Sequence, residues 1–216
     1  KIILKSFNEG TQLIKKDNIQ TFFKLKLNVD NAEIIFFENS SFRYSETFDF
    51  GTNIILADIS KVCFIDNQII INILTNEIFK INNFDENEYL EEKYFTDGNY
   101  RKIKKKLILD IAQARINEII QIIFNKNINI KTFKEKNYKV YFMIQDKIIR
   151  NSFEKIFKSS LLVTGNSEPS LIKDFAIDSS IINASNLSIY GWKKEAIPIA
   201  LTKNSLITRI FKSIFG

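Results

Sequence analysis

Three strand patterns, close together near the start of the chain, restrict its fold more than any other feature of the sequence. Phe22–Leu27 alternates apolar and basic residues, which is the pattern of a half-buried strand. Residues 33–37 form a short apolar strand, and residues 42–48 return after the turn at 38–41, which predicts a hairpin. Helical patterns follow these strands, and such a mixture predicts an α/β layered fold.

The rest of the chain continues this mixture. Helices are predicted at about 2–20, 52–61, 67–79, 100–125 and 149–159, and strands at 138–144, 161–163, 180–184 and 187–190. Thr52 or Asn53 suits the N-cap of the second helix. The helix at 100–125 is the clearest, because its apolar residues recur at spacings near 3.6 and form one broad face.

The composition excludes several classes of active site. The 216 residues allow one large domain or two small ones. The chain has no His, which excludes Ser-His and Cys-His nucleophile pairs and every metal site with a His ligand. Its single cysteine, Cys63, excludes an internal disulfide and suits a reducing cytosol. No stretch reaches the roughly 18 apolar residues of a transmembrane helix, so we expect any membrane contact to be at the surface.

The net charge of +6 favours acidic partners, which include nucleic acid, anionic lipid and acidic proteins. Basic residues are spread along the chain except for a run at 101–106. No nucleic-acid-binding motif surrounds that run, and aromatic residues do not interleave with its cations. A basic nucleic-acid-binding domain is therefore a rival interpretation, and we expect no nucleic-acid partner.

The last twelve residues, 205–216, have the pattern of an amphipathic helix that lies on a membrane. Their apolar residues recur every three to four positions, while cations and hydroxyl groups fill the opposite side. The residues predicted to meet the membrane are Leu206, Ile207, Arg209, Ile210, Phe211, Lys212, Ile214 and Phe215. The alternative is a terminal helix docked on the core. One copy would bind lipid weakly, and a polymer would bind well by avidity.

Four segments, in order, carry a family resemblance. Residues 32–40 and 48–59 are similar to a phosphate-binding hairpin, a glycine turn and a helix, with Gly51 at the turn. Residues 76–80 are similar to an Ala-Glu-x-x-Lys motif, and residues 114–119 match Ala-Arg-x-x-Glu-Ile closely. Residues 140–157 follow a pattern of strand, turn and helix. Together, from about Phe22 onward, they resemble FtsA, the actin-like family of bacterial cell division proteins.

This resemblance implies an actin-like ATPase fold of the ribonuclease H type, with a mixed sheet flanked by helices. It implies a large subdomain at 1–60 and 100–204, a smaller inserted subdomain at 61–99 and a membrane-targeting helix at 205–216. It also implies ATP and magnesium as cofactors. The residues that it places near the nucleotide are Gly51, Glu77, Lys80, Arg115 and Glu118. Arg115 and Glu118 would lie against the adenosine, and their spacing puts both on one helix face.

The sequence departs from the family where the phosphates would bind. The family's magnesium-binding Asp falls at about Lys26, the following Gly near Asn28 and the Thr at Ala32. A lysine repels the metal unless it binds phosphate directly. Asp30 would replace the missing carboxylate if the hairpin register differs.

The last glycine loop of the family has become Gln145-Asp146-Lys147, and these side chains would crowd the phosphates. We therefore expect weak nucleotide binding or none, and no hydrolysis. Glu77, Lys80, Arg115 and Glu118 then have surface ion pairs as their alternative role.

The functional expectation is an adaptor that tethers filaments of FtsZ, the tubulin-like division protein, to the inner face of the cytoplasmic membrane at the division site. We expect the FtsZ-binding surface near the basic residues Arg101, Lys102, Lys104 and Lys105. Self-polymerisation is a further expectation. The alternatives are an active actin-like ATPase and a pilus-assembly scaffold similar to PilM.

Overall fold

The computed structural model describes residues 4–76, 87–95, 100–133, 138–164, 167–172 and 175–192. The strands are β1 (Phe22–Leu27), β2 (Ala32–Glu38), β3 (Ser41–Phe48), β4 (Lys139–Ile144) and β5 (Ser170–Leu171). The helices are α1 (Lys5–Asp17), α2 (Asn53–Cys63), α3 (Asn67–Asn76), α4 (Lys105–Ile120), α5 (Ile128–Lys131), α6 (Lys147–Leu162) and α7 (Ile177–Tyr190). A 3₁₀ turn spans Glu92–Tyr94, and a π-helical segment, Gln121–Lys126, extends α4.

The five strands form one mixed sheet in the order β3-β2-β1-β4-β5. β1 pairs antiparallel with β2 and parallel with β4, and β4 pairs parallel with β5. The predicted hairpin is present as β2 and β3, which turn through Asn39 and Ser40 with positive φ angles. Because β1 and β4 are parallel neighbours, their carboxyl ends meet at one edge of the sheet.

Helices cover both faces of the sheet. On one face, α2, α3, α4 and α6 enclose the larger apolar core, which includes Phe23, Phe36 and Phe142. On the other face, α1 packs over a smaller aromatic cluster that includes Phe22 and Phe37. At Gly10 an added Cβ would lie 2.1 Å from the Phe37 ring, so the glycine lets α1 approach the sheet closely. The result is a three-layer α/β arrangement.

Several sequence predictions differ from the structure. The strands predicted at 161–163, 180–184 and 187–190 are wrong, because these residues complete α6 and form α7. Short apolar runs do not distinguish a strand from a helix, and α7 takes its place by packing on α1. The helix predicted at 100–125 begins only at Lys105. Residues 101–104 are held extended, since Leu90 N donates to Ile103 O and Tyr89 bridges to Lys104.

The described parts of 61–99, namely 61–76 and 87–95, pack on the larger core through Ile70, Ile73, Leu90 and Tyr94. Their assignment to a separate inserted subdomain stays a prediction. None of the helices in the described residues is long and apolar enough to span a bilayer. The predicted membrane helix at 205–216 lies outside the described residues.

Candidate functional site

Three turns meet at the carboxyl ends of β1 and β4. Gln145 N donates to Leu27 O at 2.9 Å, which joins the β4–α6 turn to the end of β1. Thr52 N donates to Asn28 O at 2.9 Å, which joins the start of α2 to the β1–β2 turn. The sequence placed the phosphate-binding turns of the family at these positions. The structure brings them together at the edge where α/β sheets commonly bind ligands.

Gly51 has a packing role at this edge. An added Cβ would lie 2.3 Å from Val29 O and 2.5 Å from Asn28 O. Only a glycine lets the start of α2 come this close to the β1–β2 turn. Thr52 occupies the N-cap position of α2, but its hydroxyl donates to Asn28 O at 3.3 Å and does not cap the helix. A role for Gly51 in nucleotide binding stays a prediction.

Backbone groups that would serve a phosphate are already engaged here. The Asp146 carboxylate caps α6, where its Oδ1 accepts from Ile148 N at 2.8 Å and from Ile149 N at 3.1 Å. Helix N-termini bind phosphate through such N–H groups, so the carboxylate occupies the place of an anion. In the β1–β2 turn, Asn28 N donates to Asn31 O at 2.9 Å.

The residues at this edge do not fit a magnesium–nucleotide complex. Lys26 lies at the end of β1, where the resemblance requires a metal-binding carboxylate. Asp30, the substitute carboxylate, accepts from Asn53 Nδ2 at 2.9 Å in the exposed turn. The described part of the chain contains no group of three or more acidic or cysteine side chains that would hold a metal.

The capping role of Asp146 leads to a prediction about stability. We expect Asp146→Ala to lower the free energy of unfolding by about 1 kcal/mol, because two N–H groups of α6 lose their acceptor. Urea unfolding measures this change. Asp110→Ala, an exposed position within α4, is the matched control and should change stability by less than about 0.5 kcal/mol. Equal losses in the two variants would contradict the capping role.

Arg115 connects two helices. Its Nε donates to the Asp58 carboxylate of α2, and its Nη1 lies 2.6 Å from Glu118 Oε2 on α4. The hydrogen bond to Asp58 raises the pKa of Arg115. Arg115 and Glu118 therefore lie on one helix face and form an ion pair. A surface ion pair is the alternative to an adenosine contact that the sequence analysis gives for these residues. Their contact with an adenosine stays a prediction, and Glu77 and Lys80 lie outside the described residues.

The four predicted partner-binding cations have different environments. The Lys105 ammonium is buried and pairs with Glu88 at 2.7 Å. Lys102 lies 4.6 Å from the centre of the Tyr89 ring, and Arg101 lies 5.8 Å from the centre of the Phe64 ring. Arg101, Lys102 and Lys104 are exposed. Phe64 is 74% exposed, so an apolar group adjoins these cations. The partner surface itself stays a prediction.

The sequence did not predict a buried ion pair on the α1 face of the sheet. On the α1 face of the sheet, Lys24 is 1% exposed and pairs with Glu9, which is 6% exposed. Burial is the main cause that lowers the pKa of Lys24, and the Glu9 carboxylate opposes this shift. Beside the pair, a cleft of about 470 Å³ opens at the ends of β1 and β4. The alternating pattern of β1 predicts that its lysine side chains face solvent. The pattern contains no sign that α1 covers this face of the sheet.

Comparisons with known proteins identify the fold. No protein-family model matches the sequence, and no curated protein matches it either. The structure is similar to the PilM–PilN type IV pilus biogenesis complex, with a TM-score of 0.52, 9% identity, and coverage of 80% of this chain and 42% of that chain. It is also similar to Ta0583, an archaeal actin homologue, with a TM-score of 0.51, 9% identity, and coverage of 86% of this chain and 55% of that chain.

A third similar structure is MreB5 of Spiroplasma citri bound to ADP, with a TM-score of 0.50, 13% identity, and coverage of 85% of this chain and 57% of that chain. The chain thus spans about half the length of these structures. Identities this low establish the fold alone. The predicted actin-like α/β fold is confirmed, and the similarity is not specific to FtsA.

Proposed function

We propose that this chain is an actin-like adaptor that acts at a membrane surface and does not hydrolyse ATP. The observation that supports the loss of hydrolysis is the Asp146 carboxylate, which takes the N–H groups of α6 that a phosphate would need. A phosphate that approached this helix would meet a negative charge in place of free donors. Lys26 at the end of β1 adds to this, because an ammonium group repels a divalent cation.

The membrane contact of the proposal rests on the sequence of residues 205–216. Its six apolar residues would enter the lipid interface, and Arg209 and Lys212 would face anionic headgroups. For the partner we propose an FtsZ-like tubulin homologue, which would dock near Arg101, Lys102 and Lys104. The exposed Phe64 ring beside these cations suits a partner segment that is both acidic and apolar.

A vesicle experiment tests the membrane contact. We expect the full chain to co-sediment with vesicles that contain anionic lipid, and a chain truncated after Asn204 to stay in the supernatant. The reason is that the twelve removed residues hold the apolar face and two cations. Vesicles of zwitterionic lipid alone should retain less of the full chain, because the attraction of the two cations is lost.

The double variant Arg209→Gln and Lys212→Gln is the control for charge in that experiment. It keeps the apolar face, so it should lose the preference for anionic lipid and keep weak binding. Equal sedimentation of the full and truncated chains would contradict the proposal. A pilus-assembly scaffold is the second candidate, favoured by the structural similarity to the PilM–PilN complex. It predicts capture of a PilN-like peptide by the truncated chain, with no need for vesicles.

A further inference from the structure

Helix α7 turns its polar side towards the fold and its apolar side outward. Ser180 and Asn183 face α1, where Asn183 Nδ2 donates to Thr11 Oγ1 at 2.8 Å and Gln12 Nε2 donates to Ser180 Oγ at 3.1 Å. Among the residues of α7, only Asn183 and Leu187 are buried. A helix on the surface of a globular protein normally buries its apolar side. The reversed arrangement therefore indicates a further contact for the outward side of α7.

The outward side of α7 is a row of isoleucine side chains, the isoleucine ridge. The ridge consists of Ile177, Ile181, Ile182 and Ile189, whose side chains are between 61% and 77% exposed. Ile177, Ile181, Ser185 and Ile189 follow each other at intervals of four residues, so they lie on one side of the helix. The described residues leave this ridge uncovered. An exposed apolar patch of this kind marks a contact with a protein or with a membrane.

Lysine side chains flank the isoleucine ridge. Lys5 of α1 lines one cleft beside α7, and Lys15 and Lys16 of α1 line another. The exposed charged groups of these two helices are the three lysines and the carboxylates of Asp17 and Asp178. The Asp17 carboxylate already accepts a hydrogen bond from a buried tyrosine. The excess charge beside the ridge is therefore positive, which is complementary to an anionic lipid surface.

A lipid surface suits the ridge better than a second copy of the chain does. Two ridges packed face to face would bring the lysines of both α1 helices closer together, and each chain carries a net charge of +6. The isoleucine side chains offer a protein partner no hydrogen bond that would fix its orientation, and a lipid interface needs none. Tyr190, at the end of α7, is 70% exposed, and its apolar ring with a polar tip suits the depth of lipid headgroups.

The proposed anchor at 205–216 would keep α7 close to a bilayer. Residues 193–204 separate this anchor from Trp192, and a chain of that length spans at most roughly 40 Å. Such confinement raises the effective concentration of lipid at the ridge. A contact that is weak by itself then adds to the binding of the whole chain.

We propose that the isoleucine ridge of α7 is a second membrane-contacting surface, which enters the lipid interface while Lys5, Lys15 and Lys16 face anionic headgroups. This inference rests on the proposed membrane contact, because residues 205–216 bring α7 to the bilayer. The ridge alone holds the chain too weakly for sedimentation, which agrees with the behaviour expected of the chain truncated after Asn204.

A fluorescent label on the ridge tests this contact. Ser185→Cys places a thiol among the isoleucines, and the native Cys63 is only 5% exposed, so a nitrobenzoxadiazole dye reacts with the new thiol. We add vesicles of phosphatidylglycerol and phosphatidylcholine to the labelled full chain. The dye emission should rise and move to shorter wavelength, because the dye leaves water. The same dye on Asp110→Cys, an exposed position of α4, should keep its emission in water.

Removal of isoleucine side chains should weaken vesicle binding by the full chain. The double variant Ile177→Gln and Ile189→Gln keeps good helix formers on α7. It should lower the affinity for the same vesicles by about tenfold or more, because two apolar groups no longer enter the interface. Ile128→Gln, at an isoleucine of α5 that is also 77% exposed, is the matched control and should bind as the parent does. Equal affinities of the double variant and the parent would contradict the proposal.

The label also separates the other outcomes. A dye at residue 185 that stays in water while the full chain sediments would show that α7 does not touch lipid, and the anchor at 205–216 would stand. Short-wavelength emission before vesicles are added would overturn the proposal, because the ridge would already be covered. A second copy covers it if that emission depends on protein concentration, and the chain itself covers it if not. A dye response to vesicles in a chain whose sedimentation does not depend on residues 205–216 would refute the anchor and support the ridge.

Discussion

Glu9→Leu is expected to lower the free energy of unfolding at pH 7 by about 3–5 kcal/mol, because it leaves the Lys24 ammonium buried without a counter-charge. Lys24→Met should cost a similar amount, since it leaves the Glu9 carboxylate unpaired. The double variant, Glu9→Leu with Lys24→Met, should be close to the parent or more stable, because apolar side chains of similar size avoid the cost of burying both charges. Urea unfolding of the four proteins measures the coupling.

The stability loss of Glu9→Leu should also depend on pH. Burial already lowers the pKa of Lys24, and the Glu9 carboxylate is the largest cause that raises it again. Without Glu9 the pKa of Lys24 falls further, so the folded protein releases this proton at a pH where the unfolded chain still holds it. Stability then rises with pH through the lowered pKa and up to about 10.5, the ordinary value for lysine. The deficit of Glu9→Leu should therefore be smaller at pH 9 than at pH 7.

The control for the buried pair is an exposed one. Lys158 Nζ lies 2.6 Å from Glu168 Oε1, and the Glu168 side chain is 74% exposed. Glu168→Leu should leave the urea midpoint where it is, because solvent screens such pairs. Losses that simply add in the double variant of Glu9 and Lys24 would contradict a coupled buried pair.

Local pattern and turn chemistry were enough to predict the framework of the sheet. β1 has the predicted bounds, and the hairpin of β2 and β3 follows from a turn of polar residues between a short apolar strand and a second strand pattern. α7 was missed because its apolar residues are separated by Ser and Asn, which have little helix propensity. Its stability comes from α1. Asn183 Nδ2 donates to Asn8 Oδ1 at 2.6 Å and to Thr11 Oγ1 at 2.8 Å, contacts between residues more than 170 positions apart.

The sequence predicted where the candidate site lies, but it did not predict the hydrogen bonds and ion pairs that the site contains. The order of the segments placed Asn28, Gly51 and residues 145–147 at one site, and the structure brings these three together. The capping bonds of Asp146 depend on the backbone geometry of a single turn. The cleft was invisible to sequence patterns because Glu9 and Lys24 meet only when α1 folds back on the sheet. Long-range pairing of this kind leaves no periodic signal in either segment.

Gly51→Ala is expected to lower the free energy of unfolding by about 3 kcal/mol, because the new methyl group would overlap backbone atoms that cannot move independently. The overlapping atoms, Val29 O and Asn28 O, accept hydrogen bonds from Asn53 N and Thr52 N, so any shift also breaks contacts between α2 and the β1–β2 turn. Thermal and urea unfolding without any nucleotide measure the loss.

Gly191→Ala separates the effect of overlap from that of backbone strain. An added Cβ at Gly191 meets no atom of the described residues within 4 Å, but the residue has φ of 68° and would be strained by about 1 kcal/mol. Gly51→Ala should cost clearly more than Gly191→Ala if packing of the turn is the reason for the glycine. A Gly51→Ala variant as stable as the parent would mean that the turn tolerates a side chain. The glycine would then have to be explained by a ligand that approaches the backbone there. That result would support nucleotide binding at this edge of the sheet.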